Sequence, residues 1–331
     1  MEVSARPLHL AVIDVGTNAI RLVVAEIEGD AAYRVLASVR EQTRLGDGLD
    51  ETGRIGEAAM NRSVAVLGSM KAISDEYRVD KLRVIATSAV REAENGAKLV
   101  EAARVQHGVA IEVISAAEEA RLALRSVETR FPLDGSDAAI VDIGGGTVEV
   151  VLVAEGKIGL VRSLPLGAVR LTEACLRSDP IPEEEWKALL GWIRREIREQ
   201  LGQPSHTAAT MIGSGGTFTA LAAMVAAERG EEPPSPHGYV LSRSDLVHMR
   251  DRLRKAPLGD RRQIRGLSPE RADIIVAGVA VVERLARHLD AERILVNEKG
   301  IRDGLLLEMV ARFRGVSTGF GGPGADSANP V

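Results

Sequence analysis

Two short segments combine an aspartate at the end of an apolar run with a glycine turn. They read "AVIDVGTNAIRLVV" (11–24) and "AIVDIGGGTVEVVL" (139–152); aligned on Asp14 and Asp142, Gly16 falls on Gly144. Glycine has no Cβ, so the backbone N–H groups of such turns can approach an anion closely. Carboxylates beside a phosphate imply a hard divalent cation, because Mg²⁺ binds one or two carboxylates together with phosphate oxygens and water. The pair therefore predicts a metal-bound phosphate held between two hairpins.

The second segment carries the stronger signal. Asp142 ends one strand and Glu149 begins the return strand, so a tight turn brings both carboxylates to one mouth. The predicted phosphate cradle consists of Gly144, Gly145, Gly146 and Thr147. In the first segment, Asp14 is a further candidate carboxylate, and the Asn18 side chain is a candidate partner of phosphoryl oxygens. The alternatives are a glycine-rich hairpin with a solvated aspartate and, for the first segment, a structural turn.

Three further segments each allow two interpretations. "IGSGGTFTAL" (212–221), which contains Gly215, is either an anion site at a helix N-terminus or a tight packing turn. Arg91 either grips phosphate with its guanidinium fork or pairs at the surface with Glu92 or Glu94. Glu118 and Glu119, at the start of a predicted helix, either complement the helix dipole or supply a general base.

Composition narrows the function classes. The chain has 331 residues, 45% hydrophobic residues and a net charge of −5, which argues against generic nucleic-acid binding. No apolar run approaches the roughly 20 residues needed to span a bilayer, and the N-terminus lacks the apolar core of a signal peptide. A single cysteine, Cys175, excludes an internal disulfide and a cysteine-based metal site, and is expected to be buried. These features predict a cytoplasmic globular protein.

The pattern of strands and helices predicts two α/β domains, over 1–130 and 131–313, followed by a disordered tail over 314–331. The Pro-, Gly- and Asp-containing segment 131–137 marks the boundary. Each domain opens with an antiparallel strand pair and continues through crossover helices, so a cleft is expected between them. Among the finer predictions are strands over 33–45 and 81–90, and a helix over 268–289 capped by Ser268.

Nine segments, in order from about residue 9 to 310, resemble the exopolyphosphatase/guanosine pentaphosphate phosphohydrolase (Ppx/GppA) family. Besides the two hairpin segments and the glycine turn at 212–221, they are "RLGDGL", "ATSAVREAENG", "EVISAAEEARLAL", "SLPLGAVRLTE", "HGYVLS" and "GIRDGLLLE". The chain resembles the short members of the family, which lack a helical C-terminal module. It departs from the family pattern at Ala19, where serine is common, and at Val148, where threonine is common.

The resemblance implies a fold and a set of roles. The fold is α/β, with two RNase H-like domains of the actin-like ASKHA superfamily around an interdomain cleft and the last helix packed back on the first domain. Glu119 is implied as the general base for the attacking water. The implied metal ligands are Asp14, Asp142 and Glu149; the implied phosphate contacts are Asn18, Arg91, Gly144, Gly145, Gly146, Thr147 and Gly215.

The expected activity is hydrolysis of the terminal phosphoanhydride of inorganic polyphosphate, dependent on Mg²⁺ or, as the alternative, Mn²⁺. The other candidate substrate is guanosine pentaphosphate (pppGpp), and a homodimer without nucleic-acid or membrane partners is expected. A sensor that binds polyphosphate or pppGpp without turnover is a non-catalytic alternative. An actin-like sugar or acetate kinase, with "IGSGGT" beneath an adenosine, is another.

Overall fold

Two mixed β-sheets form the framework of the protein. The computed structural model describes residues 7–28, 32–128, 130–131, 133, 137–202, 208, 210–232 and 235–313. The strands are β1 His9–Val15, β2 Ile20–Glu28, β3 Ala32–Glu41, β4 Lys81–Ala86, β5 Ile111–Val113, β6 Ala138–Ile143, β7 Val148–Ala154, β8 Lys157–Leu164, β9 Thr210–Ser214, β10 Val240–Ser242 and β11 Arg293–Asn297. Their orders are β3-β2-β1-β4-β5 and β10-β11-β9-β6-β7-β8.

Both sheets are built on one plan. In the first, β1 pairs antiparallel with β2 and parallel with β4; in the second, β6 pairs antiparallel with β7 and parallel with β9. The central strands β1 and β6 are buried nearly throughout, as expected for strands covered on both faces. The repeated α/β arrangement predicted from the two hairpin segments is therefore confirmed.

Helices cover both faces of the sheets. They are α1 Leu49–Thr52, α2 Glu57–Glu76, α3 Ser88–Glu92, α4 Gly96–His107, α5 Ala116–Glu128, α6 Ala168–Cys175, α7 Glu183–Leu201, α8 Gly216–Arg229, α9 Arg243–Lys255, α10 Leu258–Arg261, α11 Ile275–His288 and α12 Ile301–Phe313, with a 3-10 turn over Pro269–Arg271. Cys175 is buried at the end of α6, as predicted. Among the helices of the described ranges, none has the length and apolarity that crossing a membrane needs.

Helices α5 and α12 join the two halves of the molecule. Leu305 and Met309 of α12 pack against Leu10 and Val12 of β1. Gly304 permits the close approach of α12 to α5, because a Cβ there would lie 2.0 Å from the Leu122 carbonyl oxygen. Helix α5 also packs on the second sheet, through an apolar cluster shared with β6 and β7. The N-terminal end of α5 is thereby fixed at the junction of the two sheets.

Several predicted element boundaries were wrong, and the strand errors share a cause. The strand predicted over 81–90 ends at Ala86, because its partner β1 ends at Val15, which lies opposite Ala86. The strand predicted over 33–45 ends at Glu41, opposite Ile20, where β2 begins. A strand stops where its neighbour stops offering hydrogen bonds. The short helix α3, which carries Arg91, replaces the predicted strand end and loop.

The helix predicted over 268–289 begins only at Ile275, and Ser268 precedes the 3-10 turn instead of capping α11. Residues 268–274 are held away from the helix by contacts with the first domain: Arg40 pairs with Glu270, and Arg44 Nη2 lies 2.8 Å from Asp273 Oδ2. The periodicity did not predict α6, α9 or β10. The tail 314–331 and most of the boundary segment 131–137 lie outside the described residues.

Candidate active site

A cavity of about 350 Å³ lies between the two sheets, where β1, β6, β9 and β11 end. Its lining comes from both domains, as the predicted cleft requires. Most of the residues singled out in the sequence border it: Asp14, Asn18, Glu119, Asp142, Gly144, Gly145, Thr147, Glu149 and Gly215. Within the described part of the chain, Arg91, Gly146 and the alternative base Glu118 do not.

The second hairpin supplies two opposed carboxylates. Asp142 on β6 lies directly opposite Glu149 on β7, because these residues are register partners. Glu149 is only 2% exposed, and the Ser163 hydroxyl of β8 donates to its Oε1 at 2.9 Å. Burial raises the pKa of Asp142 to about 6 and that of Glu149 well above its usual range. The pair is thus poised to bind a cation, which would relieve both desolvation and mutual repulsion.

Asp14 occupies the same place in the first hairpin. It is buried, and its Oδ1 has no hydrogen-bond partner among the described residues. Burial raises its pKa, while the charges of Arg21, its register partner, and Arg302 lower it. A buried carboxylate oxygen without a partner is costly, so a ligand of Asp14 is expected.

Glu119 reaches the cavity from the first turn of α5 and is 6% exposed. Arg91 donates through Nη1 to Glu119 Oε2 at 3.2 Å and to the Ile114 carbonyl at 2.9 Å. Burial raises the pKa of Glu119 to about 7 despite the charge of Arg91. Its neighbour Glu118 pairs with Arg121 instead. The structure thereby separates two acids that spacing alone did not distinguish.

Arg91 neither lines the cavity nor pairs with Glu92 or Glu94, the two alternatives that the sequence left open. It orients Glu119 rather than lining the cavity. The two surface partners considered for it bind other residues, since Glu92 pairs with Arg170 and Glu94 with Arg54. The prediction that Arg91 contacts phosphate is therefore not supported by its position.

The two hairpin turns have the same backbone geometry. The Gly16 N–H donates to the Ala19 carbonyl at 3.2 Å, and the Gly144 N–H donates to the Thr147 carbonyl at 3.0 Å. The turns also meet, since a Cβ on Gly145 would lie 2.8 Å from Thr17 Cβ.

Gly146 packs against the first domain. A Cβ there would lie 2.5 Å from the Ser88 hydroxyl, which is itself hydrogen-bonded to Thr17 at 2.9 Å. Gly146 is thus a site of close interdomain contact, although it was predicted as part of the phosphate cradle.

The position of Gly215 is compatible with both interpretations of its segment, a tight packing turn and an anion site at a helix N-terminus. It has φ +98°, and a Cβ on it would lie 2.4 Å from the Ile143 carbonyl, so the turn packs tightly on β6. It also borders the cavity at the N-terminus of α8, together with Gly216 and Thr217. The backbone N–H groups of this helix end favour an anion.

The chain matches the model of the Ppx/GppA phosphatase family over residues 23–313. It belongs to this family. It is 34% identical to "Exopolyphosphatase 2" of Mycobacterium tuberculosis over 320 residues, covering 91% of this chain and 98% of that protein. A Ppx/GppA structure from Aquifex aeolicus is 30% identical with a TM-score of 0.77, covering 92% of this chain and 98% of that one. An exopolyphosphatase structure from Cytophaga hutchinsonii is 27% identical with a TM-score of 0.84, covering 92% and 98%. The expected two-domain fold of the Ppx/GppA family is thereby confirmed.

Sequence reasoning missed the basic side of this Ppx/GppA cavity. The basic residues among its described lining are Arg21, Arg40, Arg271, Lys299 and Arg302. Burial and the nearby Arg21 and Arg40 lower the pKa of Arg271 to about 9. Burial and Arg302 likewise lower the pKa of Arg21. Cations held this close together attract a polyanion strongly.

One of these residues had a signal in the sequence. Arg21 stands in the first hairpin where Glu149 stands in the second, when the segments are aligned on their aspartates. Arg271 and Arg302 come from distant turns, which local spacing does not reveal.

The acidic residues fit a hard divalent cation whose coordination is completed by oxygen atoms of the substrate. Their donor atoms are carboxylate oxygens, which Mg²⁺ prefers, and Asp14 Oδ1 has no hydrogen-bond partner among the described residues. Within the described ranges, no three side chains of His, Cys, Asp or Glu converge into a ready-made metal site. Mg²⁺ commonly uses one or two protein carboxylates, with phosphate oxygens and water filling the other positions. The residues present are compatible with that mode of binding.

Proposed function

We propose that this chain is an exopolyphosphatase that hydrolyses the terminal phosphoanhydride of inorganic polyphosphate and releases orthophosphate. The observation that carries the proposal is the position of Glu119: a buried acid with a pKa of about 7 that borders the same cavity as the Asp142–Glu149 pair. The names of the relatives from Mycobacterium tuberculosis and Cytophaga hutchinsonii support it.

Binding of polyphosphate requires compensation of its negative charge. Phosphoanhydride cleavage needs neutralisation of the phosphoryl oxygens and a water in line with the breaking bond. One or two carboxylates from the set Asp14, Asp142 and Glu149 would hold Mg²⁺, or Mn²⁺ as the alternative, together with phosphate oxygens of the substrate and water. When bound, this ion neutralises phosphoryl charge and polarises the terminal group.

The chain's own groups bind the rest of the substrate. N–H groups of Gly145 and Thr147 and the amide of Asn18 would bond the terminal phosphoryl oxygens, whereas the Gly144 N–H closes the turn on the Thr147 carbonyl. The basic lining residues neutralise the phosphates that follow. This separation of acidic and basic sides suits a substrate whose reacting end carries a metal and whose remainder is a chain of anions.

Glu119 accepts the proton of the attacking water. A base is most effective when its pKa lies near the working pH, and burial brings the Glu119 carboxyl into that range. The Arg91 hydrogen bond holds Oε2, which fixes the direction of the carboxylate. The water oxygen forms the new bond to phosphorus, and the bond to the bridging oxygen breaks, releasing orthophosphate and a shortened chain.

The test measures orthophosphate release with Mg²⁺ from short polyphosphate, long polyphosphate, pppGpp and ATP. Glu119→Gln is expected to slow turnover by roughly 10²–10⁴-fold while binding persists. Glu118→Gln is the matched control, since Glu118 neighbours the base and pairs with Arg121. Chelation of divalent ions should abolish release, and added Mg²⁺ or Mn²⁺ should restore it.

The other outcomes separate the remaining candidates. Faster turnover of pppGpp than of either polyphosphate would favour the guanosine pentaphosphate phosphohydrolase. Transfer of phosphate from ATP to an acceptor would favour a kinase. Binding of polyphosphate or pppGpp without release by the wild type would favour a sensor and overturn the role of Glu119.

The homodimer and the cytoplasmic location are parts of the same proposal. Light scattering of the purified protein tests the first, and fractionation of cells tests the second.

A further inference from the structure

The turn 298–302, which here means the loop after β11 and the first two residues of α12, carries basic side chains that the proposed mechanism uses. Glu298, Lys299, Gly300, Ile301 and Arg302 all border the cavity. The turn therefore brings two of the basic side chains to the substrate, from a segment far from both hairpins in sequence. Long Lys and Arg side chains lose conformational freedom when they bind, so a fixed turn would favour binding.

Asp303, in the first turn of α12, holds this segment in place through its side chain and its backbone. Its side chain is mostly buried, and Oδ2 accepts from the Gly300 N–H at 3.1 Å. In return, the Asp303 N–H donates to the Gly300 carbonyl at 2.9 Å. Oδ1 lies 3.4 Å from Lys299 Nζ. Both oxygens of one carboxylate thus bind the turn that carries Lys299 and Arg302.

Tyr33 of β3 completes the arrangement. Its O–H donates to Asp303 Oδ1 at 2.5 Å, and Lys299 Nζ lies 5.6 Å from the centre of its ring. The ring packs with the apolar cluster beneath α12, next to Ile301. Burial and the charge of Asp303 raise the pKa of the phenol, so the hydroxyl remains a donor at any working pH. Tyr33 is not part of the described cavity lining, and any effect it has on the substrate acts through the turn.

We propose that Tyr33 and Asp303 are positioning residues that hold the turn 298–302 so that Lys299 and Arg302 face the phosphates of the substrate. The proposal rests on the proposed exopolyphosphatase function and adds a connection from the edge strand β3 of the first sheet to the phosphate-binding side. Substrate affinity then depends on a phenol that never touches the substrate.

The first test is Tyr33→Phe, which keeps the ring and removes only the hydroxyl. Tyr77→Phe is the matched control, because the Tyr77 hydroxyl donates to the Leu36 carbonyl, in the same domain but outside the cavity lining. Loss of one hydrogen bond to a carboxylate should raise the KM for polyphosphate about fivefold. The kcat should stay within about twofold, because Glu119 and the acidic side are untouched.

The second test asks whether Tyr33 acts through the turn. In a Lys299→Gln/Arg302→Gln background, Tyr33→Phe should cause no further rise in KM, because the residues it positions are gone. Asp303→Asn should raise KM in the wild-type background at least as much as Tyr33→Phe does.

Three results would overturn the proposal: equal KM values for Tyr33→Phe and Tyr77→Phe, a fall in kcat without a rise in KM, or an undiminished Tyr33→Phe effect in the double-variant background. These failures differ from failure of the proposed function, in which the wild type itself releases no orthophosphate. If Tyr33→Phe does not fold, Asp303→Asn and the Lys299/Arg302 background provide the same comparison.

Discussion

The two hairpins share a backbone and differ in charge. In the first, Asp14 on β1 faces Arg21 on β2, and Arg21 in turn faces Arg40 on β3. In the second, Asp142 on β6 faces Glu149 on β7, and Glu149 faces Ser163 on β8. A duplicated framework thus presents an acid with arginines from one domain and a pair of acids from the other. The difference shows how one folding plan can supply both an anion-binding side and a cation-binding side of a single cavity.

The difference also explains the electrostatics of the two hairpins. Burial raises the pKa of Asp14, Asp142 and Glu149, but Arg21 counteracts this rise at both aspartates, whereas the charges of Glu119 and Asp142 raise the pKa of Glu149 further. The first hairpin carries its own counter-charge. Glu149 of the second hairpin gains a counter-charge only when a cation binds, and this asymmetry can be tested from both sides.

The largest effect is expected for Glu149→Gln, which keeps the shape of the side chain and removes its charge. Turnover at limiting Mg²⁺ should fall about 100-fold or more, because the second hairpin loses half of its charge for the metal. Rates measured against Mg²⁺ concentration check this, with Glu155→Gln in the exposed turn after β7 as control. An unchanged Mg²⁺ dependence would show that the two hairpins do not differ in the way described.

Asp142→Asn should stabilise the metal-free protein. Because the folded pKa of Asp142 is about 6, above its ordinary value of 3.8, the free energy of unfolding of the wild type should fall as pH rises from about 4 through 6. The variant should be more stable by about 3 kcal/mol at pH 8, and nearly equally stable near pH 4. Denaturant unfolding in EDTA at the two pH values measures this. A difference that does not change with pH would contradict it.

Arg21→Gln tests the first hairpin. Loss of a charge-assisted hydrogen bond to phosphate should raise the KM for polyphosphate about tenfold. Arg34→Gln is the control, since Arg34 lies on β3 and pairs with Glu26 and Glu28 at the surface. Equal KM values for Arg21→Gln and Arg34→Gln would show that Arg21 does not bind the phosphates of the substrate.

Gly146→Ala tests the contact between the second hairpin turn and Ser88 of the first domain. The smallest effect is expected for this variant. The equivalent position of the first hairpin holds Asn18, so only the second requires glycine. A Cβ 2.5 Å from the Ser88 hydroxyl must displace that side chain, at a cost of about 1 kcal/mol in stability. Thermal unfolding measures it, and Ser88→Ala in the same protein should recover part of the loss. No recovery would mean that the strain lies elsewhere.

The sequence predicted the parts of the site that follow local rules. The alignment of Asp14 with Asp142 predicted the doubled hairpin, and the tight turn predicted that Asp142 and Glu149 would face one another. The partner of Arg91 could not be predicted, because it depends on how α5 packs between the two sheets. Arg271 and Arg302 reach the cavity from a 3-10 turn and from α12, whose positions are set by tertiary packing.

The packing of α12 on β1 has a consequence for synthesis of the protein. Leu10 and Val12 are made nearly three hundred residues before Leu305 and Met309, which cover them. At about 5–20 residues per second, that face of the first sheet stays uncovered for about 15–60 seconds on the ribosome. Most of the second sheet is made in that interval, and its strand β11 directly precedes α12. The domain that is synthesised first is therefore completed last, and its exposed apolar face is a natural place for a chaperone to bind.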